Sequence, residues 1–143
     1  MQISNYMKDE HRACDVAFAG VENCVSTGDW DAAQSAFETF MLDTLKHFQK
    51  EEDVLFLAFE AASGNAMGPT QVMRMEHDQV RGLFDRMKQA LDAQNKDEFF
   101  SVADTLMILL QQHNMKEEQM LYTMCDRFLG NQADDIVASM KAV

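Results

Sequence analysis

Apolar residues recur at helical spacing through four long segments of the chain. The first segment runs from Ser4 to Ser26, and Gly28 follows it as a stop signal. The second segment, from Asp29 to Ala62, opens with an acidic first turn, which suits the positive end of a helix dipole. Both segments are therefore predicted to be helices.

Glycine and proline separate the remaining helical segments. Residues Ser63 to Gly68 are predicted to form a loop, and Pro69 is well placed as an early residue of a third helix that ends at Ala93. Asn95 marks the turn into a fourth helix, which ends near Leu129. Residues Gln132 to Ala142 then read as a short amphipathic helix that caps the bundle.

Strand signals are weak throughout the chain, because β-branched residues are sparse and no alternating runs flank hairpin turns. The pattern predicts an all-α, up-down-up-down four-helix bundle with a short C-terminal helix. The length of 143 residues suits one domain that spans residues 1–143. No apolar run approaches the ~20 residues that a membrane helix needs. The first residues lack the features of a secretory signal, so we expect a cytoplasmic protein.

An internal repeat relates the two halves of the chain. Residues 7–11 match residues 73–77, and both segments end in Glu-His. Residues 47–56 match residues 113–122, and both segments begin with His-x-x-x-Glu-Glu. Because both matches have the same offset of 66 positions, the chain consists of two copies of one helical hairpin. All four histidines of the chain belong to this pattern.

The spacing of the histidines predicts that they lie in one layer of the bundle. His11 lies about 17 residues before the first turn and His47 about 19 residues after it, so an antiparallel hairpin brings both imidazoles to the same height. The second hairpin repeats this arrangement around the turn near Asn95. Glu51 and Glu117 each follow a histidine by four positions, so they project from nearly the same helix face.

Metal ions would compensate such a buried polar cluster. Buried carboxylates without partners carry a large desolvation penalty, which a cation removes. Two divalent or trivalent ions with two histidines each, bridged by two carboxylates, would satisfy every member of the cluster. Imidazole and carboxylate ligands without thiolate suit iron first, then manganese or zinc. The predicted metal ligands are His11, His47, Glu51, His77, His113 and Glu117.

Other polar residues near the histidines leave alternatives open. Glu52 and Glu118 are rotated well away from the histidines of their own helices, which favours a surface position or support of the ligands. Glu10 and Glu76 directly precede histidines, and could face solvent, support the ligands or contact the metal. Cys14 lies one turn from a histidine, and a packing role is predicted for it. The three cysteines are widely spaced, which favours reduced thiols over disulfides.

The formal net charge of −12 bears on the partners of the protein. A strongly acidic chain repels phosphate backbones and anionic lipid, so we expect no binding to nucleic acid or to membrane surfaces. The charge is compatible with cation binding, but most of it is expected to lie on a solvated surface.

The doubled motif resembles the hemerythrin-like (HHE cation-binding) domain family over essentially the whole chain. The resemblance rests on His11, residues 47–52, residues 76–77 and residues 113–118. It also separates the chain from ferritin-like di-iron bundles, whose signature is Glu-x-x-His. The resemblance implies a pair of iron ions. His11 and His47 would bind one ion, His77 and His113 the other, and Glu51 and Glu117 would bridge them.

One position departs from the pattern of the oxygen-carrying hemerythrins. Those proteins have a fifth histidine one turn before the position of His77, and this chain has Met73 there. A thioether is a poor ligand for iron in an oxygen-rich site, so both metals would keep open or water-filled positions. The departure points to the members of the family with four histidines and two glutamates, which include bacterial iron-centre repair proteins and an iron-sensing domain.

The resemblance implies a non-haem di-iron protein that binds or senses a small diatomic ligand such as oxygen or nitric oxide. One alternative is a di-iron oxidoreductase that acts on peroxide, oxygen or nitric oxide and works with a redox partner. Another is an iron donor in the repair of iron-sulfur centres. A third is a bundle that metals only brace, or that binds no metal. The sequence alone leaves open whether the protein is an enzyme.

Overall fold

A computed structural model describes residues 1–143, which form helices joined by short turns, with no strands. The prediction of an all-α four-helix bundle is confirmed. The helical elements, in chain order, are α1 (Ile3–Thr27), α2 (Trp30–Lys50), a first π-helical segment (Glu51–Leu55), α3 (Phe56–Ser63), α4 (Pro69–Asp92), α5 (Lys96–Lys116), a second π-helical segment (Glu117–Leu121), α6 (Tyr122–Leu129), a short 3₁₀ turn (Gly130–Gln132) and α7 (Ala133–Lys141).

The turns of both hairpins lie where the sequence predicts them. Gly28 ends α1 in the left-handed conformation, with φ of 77°, which glycine adopts without steric cost. Asp29 then caps α2, because its side chain accepts a hydrogen bond from the backbone N–H of Ala32. Asn95 caps α5 in the same way by accepting from the N–H of Glu98. These caps fix the point at which each pair of helices reverses direction.

The second and fourth long helices are interrupted by π-helical segments, which the sequence analysis did not predict. The segments begin at Glu51 and at Glu117, the glutamates of the two His-x-x-x-Glu motifs. The backbone N–H of Phe56 donates to the carbonyl of Glu51, and that of Tyr122 donates to the carbonyl of Glu117, so each donor follows its acceptor by five positions. A π-helical turn holds one residue more than an α-helical turn, so it changes which side chains face inward after the glutamate.

The bundle is built from two antiparallel pairs, with α1 against α2 and α4 against α5. Its buried apolar residues form two clusters. An upper cluster near the hairpin turns includes Phe18, Phe40 and Phe84. A lower cluster, closed by α7, includes Met7 and Leu55. The histidine layer separates the two clusters. None of the helices combines the length and the apolar character that crossing a membrane requires.

Candidate metal centre

All six side chains predicted as metal ligands come together between the two apolar clusters. Each is buried, and both glutamates and His77 have no exposed surface at all. Two groups of these side chains have ligand atoms close enough to hold a cation. One group combines Glu51 and Glu117 with His77 and His113, and the other combines Glu117 with His11 and His47.

The four imidazoles form two pairs with nearly the same geometry. The ring centroids of His11 and His47 are 4.8 Å apart, and those of His77 and His113 are 4.9 Å apart. The interplanar angle is 57° in both pairs. The repeat in the sequence therefore becomes a two-fold arrangement of side chains in the fold.

Each of the two buried glutamates spans both histidine pairs. The Oε1 atom of Glu51 lies 3.3 Å from Nε2 of His47 and 3.2 Å from Nε2 of His77. The Oε1 atom of Glu117 lies 3.2 Å from Nε2 of His11 and 3.2 Å from Nε2 of His113. A carboxylate placed between two pairs of imidazoles in this way is suited to bridge two cations.

A second ring of glutamates holds the outer nitrogen of every histidine. Their carboxylates accept hydrogen bonds of 2.6–2.9 Å from the Nδ1–H groups. The pairs are His11 with Glu118, His47 with Glu10, His77 with Glu52 and His113 with Glu76. Because an ionised carboxylate only accepts hydrogen bonds, Nδ1 carries a proton, and Nε2 is the ring nitrogen that faces the centre.

These contacts resolve the alternatives that the sequence left open for the four glutamates. Glu10 and Glu76 orient the histidine of the neighbouring helix within their own hairpin. Glu52 and Glu118 are indeed rotated away from the histidines of their own helices, and each supports a histidine of the other hairpin. All four glutamates therefore support the inner side chains rather than joining them.

The buried carboxylates raise the pKa values of His47 and His113. Burial disfavours the protonated form of His47, but the charge of Glu51 and the hydrogen bond to Glu10 outweigh burial and hold its pKa well above the usual value. Burial also opposes protonation of His113, yet Glu117 raises the pKa of that residue to about 9. The same negative charge that favours protonated imidazoles would also favour a metal cation bound in place of the protons.

Several buried polar atoms of the cluster have no hydrogen-bond partner. They are Nε2 of His47, His77 and His113, Oε1 of Glu51 and Oε2 of Glu117. Each of the three nitrogens lies 3.2–3.3 Å from the Oε1 atom of a buried glutamate, but none of these contacts is a hydrogen bond. Each unsatisfied buried group costs roughly 1–3 kcal/mol, which a bound cation would remove. The residues therefore fit a metal centre of imidazole and carboxylate ligands.

The surroundings of the two histidine pairs are not equivalent. The ring of Phe48 stacks on His77 with centroids 3.8 Å apart, whereas the equivalent residue of the second hairpin is Asn114. Arg81 pairs with Glu52, and its equivalent in the first hairpin is Asp15. The side of His11 is thus more polar and more negative than the side of His77.

Tyr122 is part of the centre, although the sequence analysis did not select it. Its ring is fully buried, and its hydroxyl donates to Oε2 of Glu51 at 2.8 Å. The only available signal was the repeat, in which Tyr122 matches Phe56. A match to phenylalanine gives no sign of a polar role, and a regular helix would place a side chain at position 122 far from Glu117.

Cys14 and Met73, each about one helical turn from a histidine of the cluster, lie beside the centre rather than in it. Cys14 is partly buried against the upper cluster, and its Sγ lies 3.8 Å from the hydroxyl of Thr44. Met73 packs in the lower cluster with 3% of its surface exposed. The position of the fifth histidine of oxygen carriers is therefore filled by an apolar side chain.

Comparison with known protein families gave a match that covers most of the chain. The family described as hemerythrin HHE cation binding domain matches residues 2–125. No curated protein and no solved structure matches the chain at a significant level. The matched range contains all six inner side chains and all four supporting glutamates. This chain therefore belongs to the hemerythrin HHE cation-binding domain family.

Proposed function

We propose that this chain is a non-haem di-iron protein that binds or senses a small diatomic ligand such as oxygen or nitric oxide. His11 and His47 would hold one iron, His77 and His113 the other, and Glu51 and Glu117 would bridge them. The observation that carries the proposal is the set of inward-facing ligand atoms: supporting glutamates orient all four imidazoles, and three imidazole nitrogens and two carboxylate oxygens have no hydrogen-bond partner in the protein. The absence of thiolate among these groups favours iron over softer metals.

The size of the cavity at the centre supports a small ligand. A cavity of about 20 Å³ lies beside the first histidine pair, and Cys14, Thr44 and Asn114 are among the residues that line it. A cavity of ~10–15 Å³ by this measure holds one water molecule, so the space suits a diatomic molecule and excludes a bulky substrate. Beside the second histidine pair, the rings of Phe48 and Phe56 lie nearly parallel to the ring of His77.

A surface cleft offers an access route to this cavity. The cleft has a volume of about 280 Å³, lies between α1 and α2, and shares Cys14 and His47 with the inner cavity. Its other walls include Glu10, Lys46 and Lys50. A small molecule that passes Cys14 would reach the first histidine pair directly.

Ligand titration tests the proposal. The iron-loaded protein is reduced without oxygen, and oxygen or nitric oxide is then added while the visible spectrum is recorded. We expect a new absorption band that saturates at a fixed ratio of ligand to protein and disappears when the ligand is removed. Continuous turnover of the added molecule would favour the enzyme alternative, and an unchanged spectrum would contradict ligand binding.

The access route predicts the effect of a larger side chain at Cys14. The substitution Cys14→Leu should slow ligand association at least several-fold, because it narrows the junction between cleft and cavity. Cys24→Leu is the matched control, since Cys24 is also partly buried against the upper cluster but does not line the cleft. Stopped-flow absorption measures both rates. Equal rates in the two variants would show that ligands enter elsewhere.

A further inference from the structure

The phenol oxygen of Tyr122 lies against three of the proposed metal ligands. It is 2.8 Å from Oε2 of Glu51, 3.0 Å from Oε1 of Glu117 and 3.2 Å from Nε2 of His11. A phenol has a single hydrogen, so it donates to only one of the two carboxylates at a time. The other carboxylate then faces an oxygen lone pair at short range. A cation bound between these oxygens would replace this repulsion by attraction.

The distances around Tyr122 match those between neighbouring ligands of one metal ion. With metal–ligand bonds of ~2.1 Å, adjacent ligand atoms of an octahedral site are ~3.0 Å apart. The phenol oxygen meets one nitrogen and two carboxylate oxygens at 2.8–3.2 Å. It therefore lies where a further ligand of the same metal would lie, next to the ligands already assigned.

Comparison of the two halves of the repeat distinguishes the role of the Tyr122 hydroxyl from that of its ring. Phe56 occupies the equivalent position of the first hairpin, and its ring lies 5.8 Å from that of His77. The ring of Tyr122 lies 5.6 Å from that of His11. Since phenylalanine fills this position in one half of the centre, packing alone does not require a hydroxyl in the other half.

The charges near His11 favour a hard oxygen ligand on this side. Glu118, which holds His11, forms no ion pair with lysine or arginine, whereas Arg81 neutralises its counterpart Glu52. Asp15 adds a further negative charge at the position equivalent to Arg81. A negative environment stabilises the more highly charged state of a metal, and such a metal prefers oxygen ligands.

We propose that Tyr122 is a further ligand of the metal held by His11 and His47, bound through its phenolate oxygen. This inference rests on the proposed function, because it requires iron in the centre. Ligation exchanges the O–H bond for an oxygen–metal bond, releases one proton to the buffer and transfers no electrons. The two irons would then differ in their ligands despite the two-fold arrangement of histidines and glutamates.

The visible spectrum of the iron(III) protein tests this inference. An iron(III) phenolate absorbs visible light, and excitation of that band enhances the ring vibrations of the bound tyrosine. The chain contains only two tyrosines, so the matched variants are Tyr122→Phe and Tyr6→Phe. Tyr6 contacts Lys50 rather than the centre. We expect the band and the tyrosine vibrations in the wild type and in Tyr6→Phe, and their loss in Tyr122→Phe with two irons still bound.

A labelled protein keeps the test decisive if Tyr122→Phe fails to fold or to bind iron. In Tyr6→Phe, ring-deuterated tyrosine labels Tyr122 alone, and the enhanced vibrations should shift on deuteration. Vibrations that do not shift, or a Tyr122→Phe spectrum that equals that of the wild type, would overturn the assignment. A wild-type protein that binds no iron would instead contradict the proposed function itself, which the iron content reveals before any spectrum is compared.

Discussion

At the scale of single residues, the centre depends on the glutamates that hold the outer nitrogens of the histidines. Each carboxylate fixes the tautomer and the orientation of one ring, and it makes Nε2 a stronger ligand. Glu10, Glu52 and Glu76 are each paired with a lysine or an arginine as well, whereas Glu118 is not. Among the four supporting glutamates, Glu118 is therefore the one whose charge acts on its histidine without a competing lysine or arginine.

Replacement of a supporting glutamate should weaken metal binding. The substitution Glu118→Gln is expected to lower iron affinity by about 10–100-fold, the usual effect of losing such a partner. Competition with a chelator of known affinity measures the change, and circular dichroism checks that the helices remain intact. Glu38→Gln is the control, because Glu38 is exposed on α2 and does not contact the centre. Equal affinity in both variants would contradict the role assigned to Glu118.

The pKa of His113 predicts how the stability of the metal-free protein changes with pH. Glu117 raises this pKa from 6.5 to about 9 against the effect of burial. A raised pKa in the folded state stabilises the fold fully below pH 6.5, and that contribution is lost as the pH rises through about 9. Urea unfolding between these values should therefore show decreasing stability, and His113→Asn should reduce the decrease. Stability that rises over this range would refute the assignment.

The six inner residues of the centre could be predicted from the sequence. The pairing of each histidine with a supporting glutamate could not. The repeat and the spacing of His11 and His47 suffice to place the histidines in one layer, because helical rise is constant. Glu118 contacts His11 of the other hairpin, so this contact depends on which helices pack together and on how each helix is rotated about its axis. Neither quantity follows from the spacing within one helix.

At the scale of elements, the second π-helical segment explains why the sequence does not predict that Tyr122 lies at the centre. In an α-helix, 3.6 residues make one turn, so a side chain five positions after Glu117 would point well away from it. In the second π segment those two residues are aligned, and the hydroxyl of Tyr122 lies 3.0 Å from Glu117. No proline or glycine marks either π segment in the sequence. Helix ends were predictable from capping residues, but this change of helical pitch was not.

The backbone conformations of two glycines, one within α1 and one in the turn after it, predict opposite effects of substitution by alanine. Gly28 has φ of 77°, so Gly28→Ala should destabilise the fold by about 1 kcal/mol. Gly20 lies within α1 with open space around its missing Cβ, so Gly20→Ala should stabilise the fold by roughly 0.5–1 kcal/mol. Urea unfolding measures both free energies. Effects of the same sign would contradict the described conformation of the turn.

At the scale of the whole molecule, the polar layer lies between two apolar clusters. The chain buries four imidazoles and two carboxylates at the centre of the bundle, where isolated charges are costly. The two clusters on either side hold the helices in place, so the inner lone pairs keep their arrangement. The family match over residues 2–125 covers the polar layer and the whole upper cluster. Binding of two cations would convert the cost of the buried charges into an attraction between helices.

The metal content of the protein, purified without added metal, tests the central claim most directly. Element analysis should find two irons per chain, and the visible spectrum should change when oxygen is admitted to the reduced protein. The double variant Glu51→Gln, Glu117→Gln, which lacks both bridging carboxylates, should lose most of this iron while it keeps its helical content. A single metal per chain, zinc alone, or iron that is retained by the double variant would contradict a di-iron centre bridged by these glutamates.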